Sequence, residues 1–165
     1  MQGDGPPILD PPVGPKVPPP EGVAPPVLGA RARLAGARVL IVEDDEDSRE
    51  FICAILRMAG ATVLCVGSVA EAMEGVYHSF DPDVVLTDYS MPDADGFDLI
   101  REFRKAPSSR AVAVPILILS GHTEENWHAR AHAAGAADVL IKPFEPTVLI
   151  DRLAAAIVPG RSGPH

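Results

Sequence analysis

The stretch Val84-Val85-Leu86-Thr87-Asp88-Tyr89-Ser90-Met91-Pro92 constrains the fold more than any other, because an apolar run ends on a single carboxylate and is then broken by proline. A short run of β-branched and aliphatic residues closed by turn formers reads as a strand covered on both faces, the mark of a parallel sheet packed between helices. In such sheets ligands bind beyond the carboxyl ends of the strands. Asp88 therefore sits where chemistry is expected.

The same pattern recurs along the chain. Arg38-Val39-Leu40-Ile41-Val42 stops on Glu43-Asp44-Asp45, Thr62 to Val66 forms a second apolar run, Pro115 to Ser120 ends in a hydroxyl, and Val139-Leu140-Ile141 ends on Lys142 before Pro143-Phe144. Helical spacing fills the intervals. Asp47 to Gly60 carries Phe51, Ile55, Leu56 and Met58, and Ser68 with Glu71 forms a capping box for a helix through Val69, Ala72, Met73, Val76 and Tyr77. Phe97, Leu99, Ile100 and Phe103 define a third helix that stops at Pro107. Thr123 to Gly135 is an alanine-rich fourth, and Glu145 to Val158 a fifth with Val148, Leu149, Leu153 and Ile157 on one face. Strands and helices in alternation predict an α/β fold, a doubly wound five-stranded parallel sheet with right-handed crossovers.

With 165 residues, 47% of them hydrophobic, the chain has material for one core. Of its 18 prolines, ten fall in the first 26 residues, a density that excludes helix and central strand and favours extended polyproline II or disorder. Residues 1–36 are therefore expected to be a disordered proline-rich tail, residues 37–158 the folded domain and residues 159–165 a flexible C-terminal tail. Asp4, Asp10 and Glu21 balance Lys16, Arg31 and Arg33, so the net charge of −9 belongs to the domain and argues against a nucleic-acid surface. No long apolar run predicts a membrane span and no signal peptide is recognisable, so a cytoplasmic protein is expected. Cys53 and Cys65 lie in apolar stretches without metal-ligand spacing and are expected to be buried free thiols.

Four strand ends carry polar groups: Glu43 and Asp44, then Asp88, Ser120 and Lys142. A parallel sheet brings such ends to one edge. Carboxylates gathered there repel one another, and the usual relief is a hard divalent cation with oxygen ligands. A lysine and a hydroxyl beside the cation suit phosphoryl oxygens.

On these residues the chain resembles the receiver domain of two-component response regulators, over residues 38–158. Lys142 lies 22 residues after Ser120, Gly96 eight after Asp88, and Met91-Pro92 follows Asp88 at the family's usual distance. The resemblance implies a flavodoxin-like receiver fold in which Asp88 is the phospho-acceptor. Glu43, Asp44, Asp88 and the backbone carbonyl of Ser90 would hold Mg2+, with Glu43 acting through a metal-bound water. Ser120 would be the switch hydroxyl and Lys142 the partner of the phosphoryl group. It also implies phosphate from a histidine kinase or histidine phosphotransfer protein, and a signalling role rather than enzymatic turnover. The family's usual aromatic residue three positions before the lysine is Val139 here. Only residues 159–165 follow the last helix, so output by docking or by phosphate relay is expected.

Other readings fit less well. The resemblance implies that Asp45 is a solvated bystander, while Thr87 reads as a strand residue and Tyr89 as loop packing. Asp93-Ala94-Asp95-Gly96 suggests a calcium loop, but with Gly96 at loop position six Met91 occupies the position that needs a carboxylate. His128 and His132 stand four apart, yet residue 129 is alanine, so the zinc-protease pattern is absent. A phosphatase with an aspartyl nucleophile would place a second aspartate two residues after the first, where this chain has Ser90.

Overall fold

The computed structural model describes residues 33–157 and 159. Five parallel strands, β1 (Arg38–Val42), β2 (Thr62–Val66), β3 (Val84–Asp88), β4 (Ile116–Ser120) and β5 (Asp138–Ile141), form one sheet in the order β2-β1-β3-β4-β5. Six helices connect them: α1 (Glu46–Met58), α2 (Val69–Tyr77), α3 (Gly96–Lys105), α4 (Ser109–Ala113), α5 (Trp127–Ala134) and α6 (Pro146–Ala156). The doubly wound parallel fold expected from the sequence is the fold observed.

Alternation along each strand sorts the core into two layers. Val39, Ile41, Val84, Leu86, Leu117, Leu119 and Leu140 face α1 and α6, where they meet Ile52, Leu56, Leu149 and Leu153. Leu40, Val42, Val85, Ile116, Ile118 and Val139 face the opposite way, against Ala72, Leu99, Phe103, Trp127 and Ala131. Because β3 and β4 are buried throughout, the polar groups at their C-terminal ends are held by rigid backbone.

Several local expectations are corrected. A short α4 occupies the segment after Pro107, where the sequence pattern predicts no element, and the helix expected from Thr123 begins only at Trp127. The stripes of α1 and α6 are rotated. Ile52, Cys53 and Leu56 face the core, while Phe51 and Met58 are exposed, and Ile150 replaces the exposed Val148. Ser68 does accept from Glu71 N at 3.2 Å, but the Glu71 carboxylate caps Gly67 N at 3.1 Å rather than its N-cap partner. The reciprocal box lies elsewhere, between Asp95 and Asp98 at the start of α3.

Residues 1–32 and 160–165 of the two expected tails lie outside the described residues. Of the segment assigned to the N-terminal tail, residues 33–36 form a turn that packs on the domain: Leu34 is buried, its N–H bonds Ala59 O at 3.1 Å, and its carbonyl accepts from Ala37 N at 3.0 Å. The cysteines are not free. Cys53 and Cys65 form a disulfide, because α1 lies against β2 and brings their Cα atoms to 6.6 Å, a proximity that sequence spacing does not reveal.

Candidate functional site

At the carboxyl edge of the sheet the chain order reverses beside β1, and the residues after β1, β3, β4 and β5 meet there. Asp88, the last residue of β3, is 8% exposed, and Glu43, directly after β1, is 2% exposed. Asp44 is exposed. One carboxylate oxygen from each of the three lies within 4.8 Å of the others.

Lys142 arrives from β5. Its N–H continues the parallel ladder by bonding Ser120 O at 2.8 Å, and its side chain then crosses the edge of the sheet. Nζ donates to Asp88 Oδ1 at 2.8 Å and to Glu43 Oε2 at 3.3 Å. The peptide from Lys142 to Pro143 is cis. Ser120 ends β4, nearly fully buried, and its Oγ accepts the N–H of His122 at 3.0 Å.

The charges are visibly unbalanced. Burial raises the Glu43 carboxyl above its ordinary range and the charge of Asp88 raises it further, against the opposing pull of Lys142 and the Asp45 N–H. For Lys142 burial works against the ammonium form, but the hydrogen bond and charge of Asp88, reinforced by Glu43, outweigh it and the pKa is raised. One ammonium thus faces three carboxylates. A divalent cation fits this donor set: all the donors are hard oxygens, and an added positive charge relieves the repulsion that one lysine leaves.

Every residue expected at the site lies at this edge, with Ser90 exposed in the loop two residues beyond Asp88. Asp45 has a structural part that the sequence reading missed, since its Oδ1 caps α1 by accepting Ser48 N at 2.8 Å. Thr87 is a buried strand residue, as expected, and its Oγ1 bonds the Asp88 carbonyl at 2.9 Å. Arg49 also holds the site. From α1 its Nη1 donates to Glu43 O at 2.8 Å and Asp44 O at 3.4 Å, tying down the acidic loop through backbone carbonyls that no motif advertises.

Gly96 serves the site through space. A Cβ there would stand 3.3 Å from Tyr89 Cα and 3.4 Å from Asp88 O, so a side chain at this position would push the acceptor loop away by a few tenths of an ångström. Tyr89 is loop packing of a specific kind. Its ring lies 4.5 Å from Trp127, 5.0 Å from Phe97 and 5.3 Å from His122. His128 and His132 are exposed, as expected of solvated side chains.

A family profile described as the response regulator receiver domain matches residues 39–154. The chain is 33% identical over 131 residues to the phosphate regulon transcriptional regulatory protein PhoB of Pseudomonas aeruginosa, covering 79% of this chain and 55% of that one. It is 31% identical to the sensory/regulatory protein RpfC of Xanthomonas campestris, covering 82% of this chain and 19% of that one. The chain therefore spans about half, or less, of the length of these curated relatives. Among solved structures it resembles a response regulator from Chloroflexus aurantiacus, with 33% identity and a TM-score of 0.66 over 73% of this chain and 97% of that one. It is also similar to the receiver domain of a sensor histidine kinase from Pseudomonas aeruginosa PAO1 solved with magnesium in its active-site cleft, with 30% identity and a TM-score of 0.65 over 74% and 98% of the two chains. Fold, edge constellation and sequence similarity thus converge: the chain belongs to the response regulator receiver family of two-component signal transduction.

Proposed function

We propose that Asp88 accepts a phosphoryl group from a phosphohistidine on a histidine kinase or histidine phosphotransfer protein, and that the chain signals by docking to a partner protein or by relaying the phosphate. The carrying observation is the 2.8 Å bond from Lys142 Nζ to Asp88 Oδ1 inside a cluster of three carboxylates. A carboxylate oxygen of Asp88 forms the new P–O bond as the donor's P–N bond breaks, and the donor imidazole keeps the electron pair. Asp44, Asp88 and the Ser90 carbonyl would hold Mg2+, with Glu43 reaching it through water; the ion would neutralise charge on the transferring phosphoryl group. The ammonium of Lys142 is already at the acceptor and pairs with a phosphoryl oxygen once Asp88 carries the acyl phosphate. The Ser120 hydroxyl donates to another, and His122 follows because its N–H is bonded to Ser120 Oγ. Rigid strand ends hold these groups before the donor arrives, which favours in-line transfer.

An apolar recess beside the site supports a protein donor: Phe51, Ile52, Pro143 and Phe144 line an opening of about 420 Å³ together with Glu43 and Lys142. A cytoplasmic location belongs to the same proposal. The described residues include no helix long and apolar enough to cross a membrane.

The test is incubation with Mg2+ and acetyl phosphate. The protein is expected to gain one base-labile phosphoryl group, and the Asp88→Ala variant none; an Asp88→Ala protein that still takes up one equivalent refutes the assignment. No turnover of small phosphoesters is expected, and steady release of product from them would favour a phosphatase instead.

A further inference from the structure

Cys53 faces the core from α1, Cys65 lies in the edge strand β2, and their sulfurs are bonded to each other. The bond is reachable from solvent. An opening of about 360 Å³, lined by Arg49, Glu50, Cys53, Arg57 and Cys65, admits a small thiol. Cys65 is the more exposed of the two cysteines, and Arg57 Nη2 stands 4.0 Å from its sulfur. A guanidinium there attracts an incoming thiolate and stabilises a thiolate left behind.

Both elements joined by the bond also hold the acidic loop of the acceptor site. Arg49, one turn before Cys53 on α1, bonds the carbonyls of Glu43 and Asp44 at 2.8 Å and 3.4 Å. On the other side, Glu43 N donates to the carbonyl of Val66, the residue after Cys65, at 3.0 Å. A change in how α1 sits on β2 therefore reaches Glu43 from two directions.

We infer that Cys53 and Cys65 are a thiol–disulfide switch that sets the geometry of the Glu43–Asp44 loop and so its affinity for Mg2+. The inference rests on the receiver reading given above, including its cytoplasmic location, where disulfides are as a rule transient and redox-sensing rather than permanent. A small thiol attacks Cys65 Sγ as thiolate; the bond between the cysteines breaks and Cys53 leaves as thiolate and takes up a proton. A second small thiol attacks the outer sulfur of the mixed disulfide and releases Cys65, so two thiols are oxidised to one small disulfide as two protein thiols form. A small disulfide such as oxidised glutathione drives the reverse reaction.

The experiment compares the full chain oxidised by a small disulfide with the same chain reduced by a small dithiol. Alkylation followed by intact mass counts the thiols, and calorimetric titration measures Mg2+ affinity. No alkylatable thiol is expected in the oxidised chain and two in the reduced one, with Mg2+ binding about 5-fold or more weaker after reduction, the scale of an ordinary coupling between sites. Arg49→Gln is expected to keep the cross-link and to shrink the redox difference, because the Glu43 N–H bond to Val66 O remains. Cys53→Ser and Cys65→Ser are expected to behave as the reduced chain whatever the reductant; if either fails to fold, the reduced and alkylated native chain supplies the comparison. Thiols that do not cross-link under oxidation overturn the inference, as does Mg2+ affinity that is equal or tighter after reduction. Labelling of Asp88 by acetyl phosphate in each redox state separates the two readings, because absence of label in both defeats the phospho-acceptor proposal, whereas equal label with equal Mg2+ affinity defeats only the switch.

Discussion

Replacing Lys142 by methionine keeps much of the apolar stem and removes the ammonium that touches both Asp88 and Glu43. Oxygens of the carboxylates within 4.8 Å of one another are then left unbalanced. At that spacing and an effective dielectric near 20, two unit charges repel by about 3.5 kcal/mol. Breaking a buried ion pair costs about 3–5 kcal/mol, and the 34% exposure of the Lys142 side chain reduces this through solvent screening, so a loss of about 2 kcal/mol is expected without divalent cation. For a domain of this size that is a fall in melting temperature of roughly 6–12 °C. In Mg2+ the sign of the charge argument reverses. The ammonium competes with the ion for the same oxygens, so its removal is expected to tighten Mg2+ binding by about 10-fold, equivalent to about 1.4 kcal/mol. Mg2+ should therefore stabilise Lys142→Met more than the native chain, and most of the deficit in melting temperature should close at saturating Mg2+. Thermal unfolding in chelator and in Mg2+, with a calorimetric titration, measures both quantities. Unchanged or weaker Mg2+ binding in Lys142→Met, with the same thermal deficit in both buffers, would show that ammonium and metal do not share these carboxylates.

Three further outcomes are open to direct measurement. Beryllofluoride with Mg2+ is expected to change Trp127 emission, because the indole is 1% exposed and stands 4.6 Å from the ring of His122, whose N–H is bonded to Ser120 Oγ. The change should vanish in Asp88→Ala and shrink in Ser120→Ala, and an unchanged spectrum at full occupancy of Asp88 would exclude this route. Asp45→Asn should leave Mg2+ affinity unchanged and lower the melting temperature only slightly, since asparagine caps a helix as aspartate does but lacks its charge, whereas Asp45→Ala should lower the melting temperature by a few degrees with Mg2+ affinity intact. Hydrogen bonds from the Ser48 side chain and backbone hold the Asp45 carboxyl below its ordinary range, so its contribution to stability is complete above its unfolded pKa of 3.8 and is lost as pH falls through the lower folded value. Thermal unfolding over acidic pH should show that loss in the native chain and not in Asp45→Ala.

Sequence alone was enough for the strands, their parallel arrangement and the polar residues at their ends. A buried strand needs an unbroken apolar run, and the residue that ends it is fixed in place by its neighbours, so Glu43, Asp88, Ser120 and Lys142 could be assigned to one edge before any coordinates. Helix faces were less legible. The spacing of α1 permits a stripe through Phe51 and Met58 as well as one through Ile52 and Leu56, and only contact with the sheet selected the second. Capping was legible only in part. Asp45 reads as one more acid in a cluster until α1 is seen to begin behind it, and Asp95 reads as part of a rejected calcium loop until α3 does the same. The bond between Cys53 and Cys65, the grip of Arg49 on the acidic loop and the aromatic cluster around Trp127 were decided by tertiary structure alone. Each joins residues that no periodicity relates, by contacts that exist only once one element lies on another, and the Arg49 contact runs to backbone carbonyls, which look alike in every sequence.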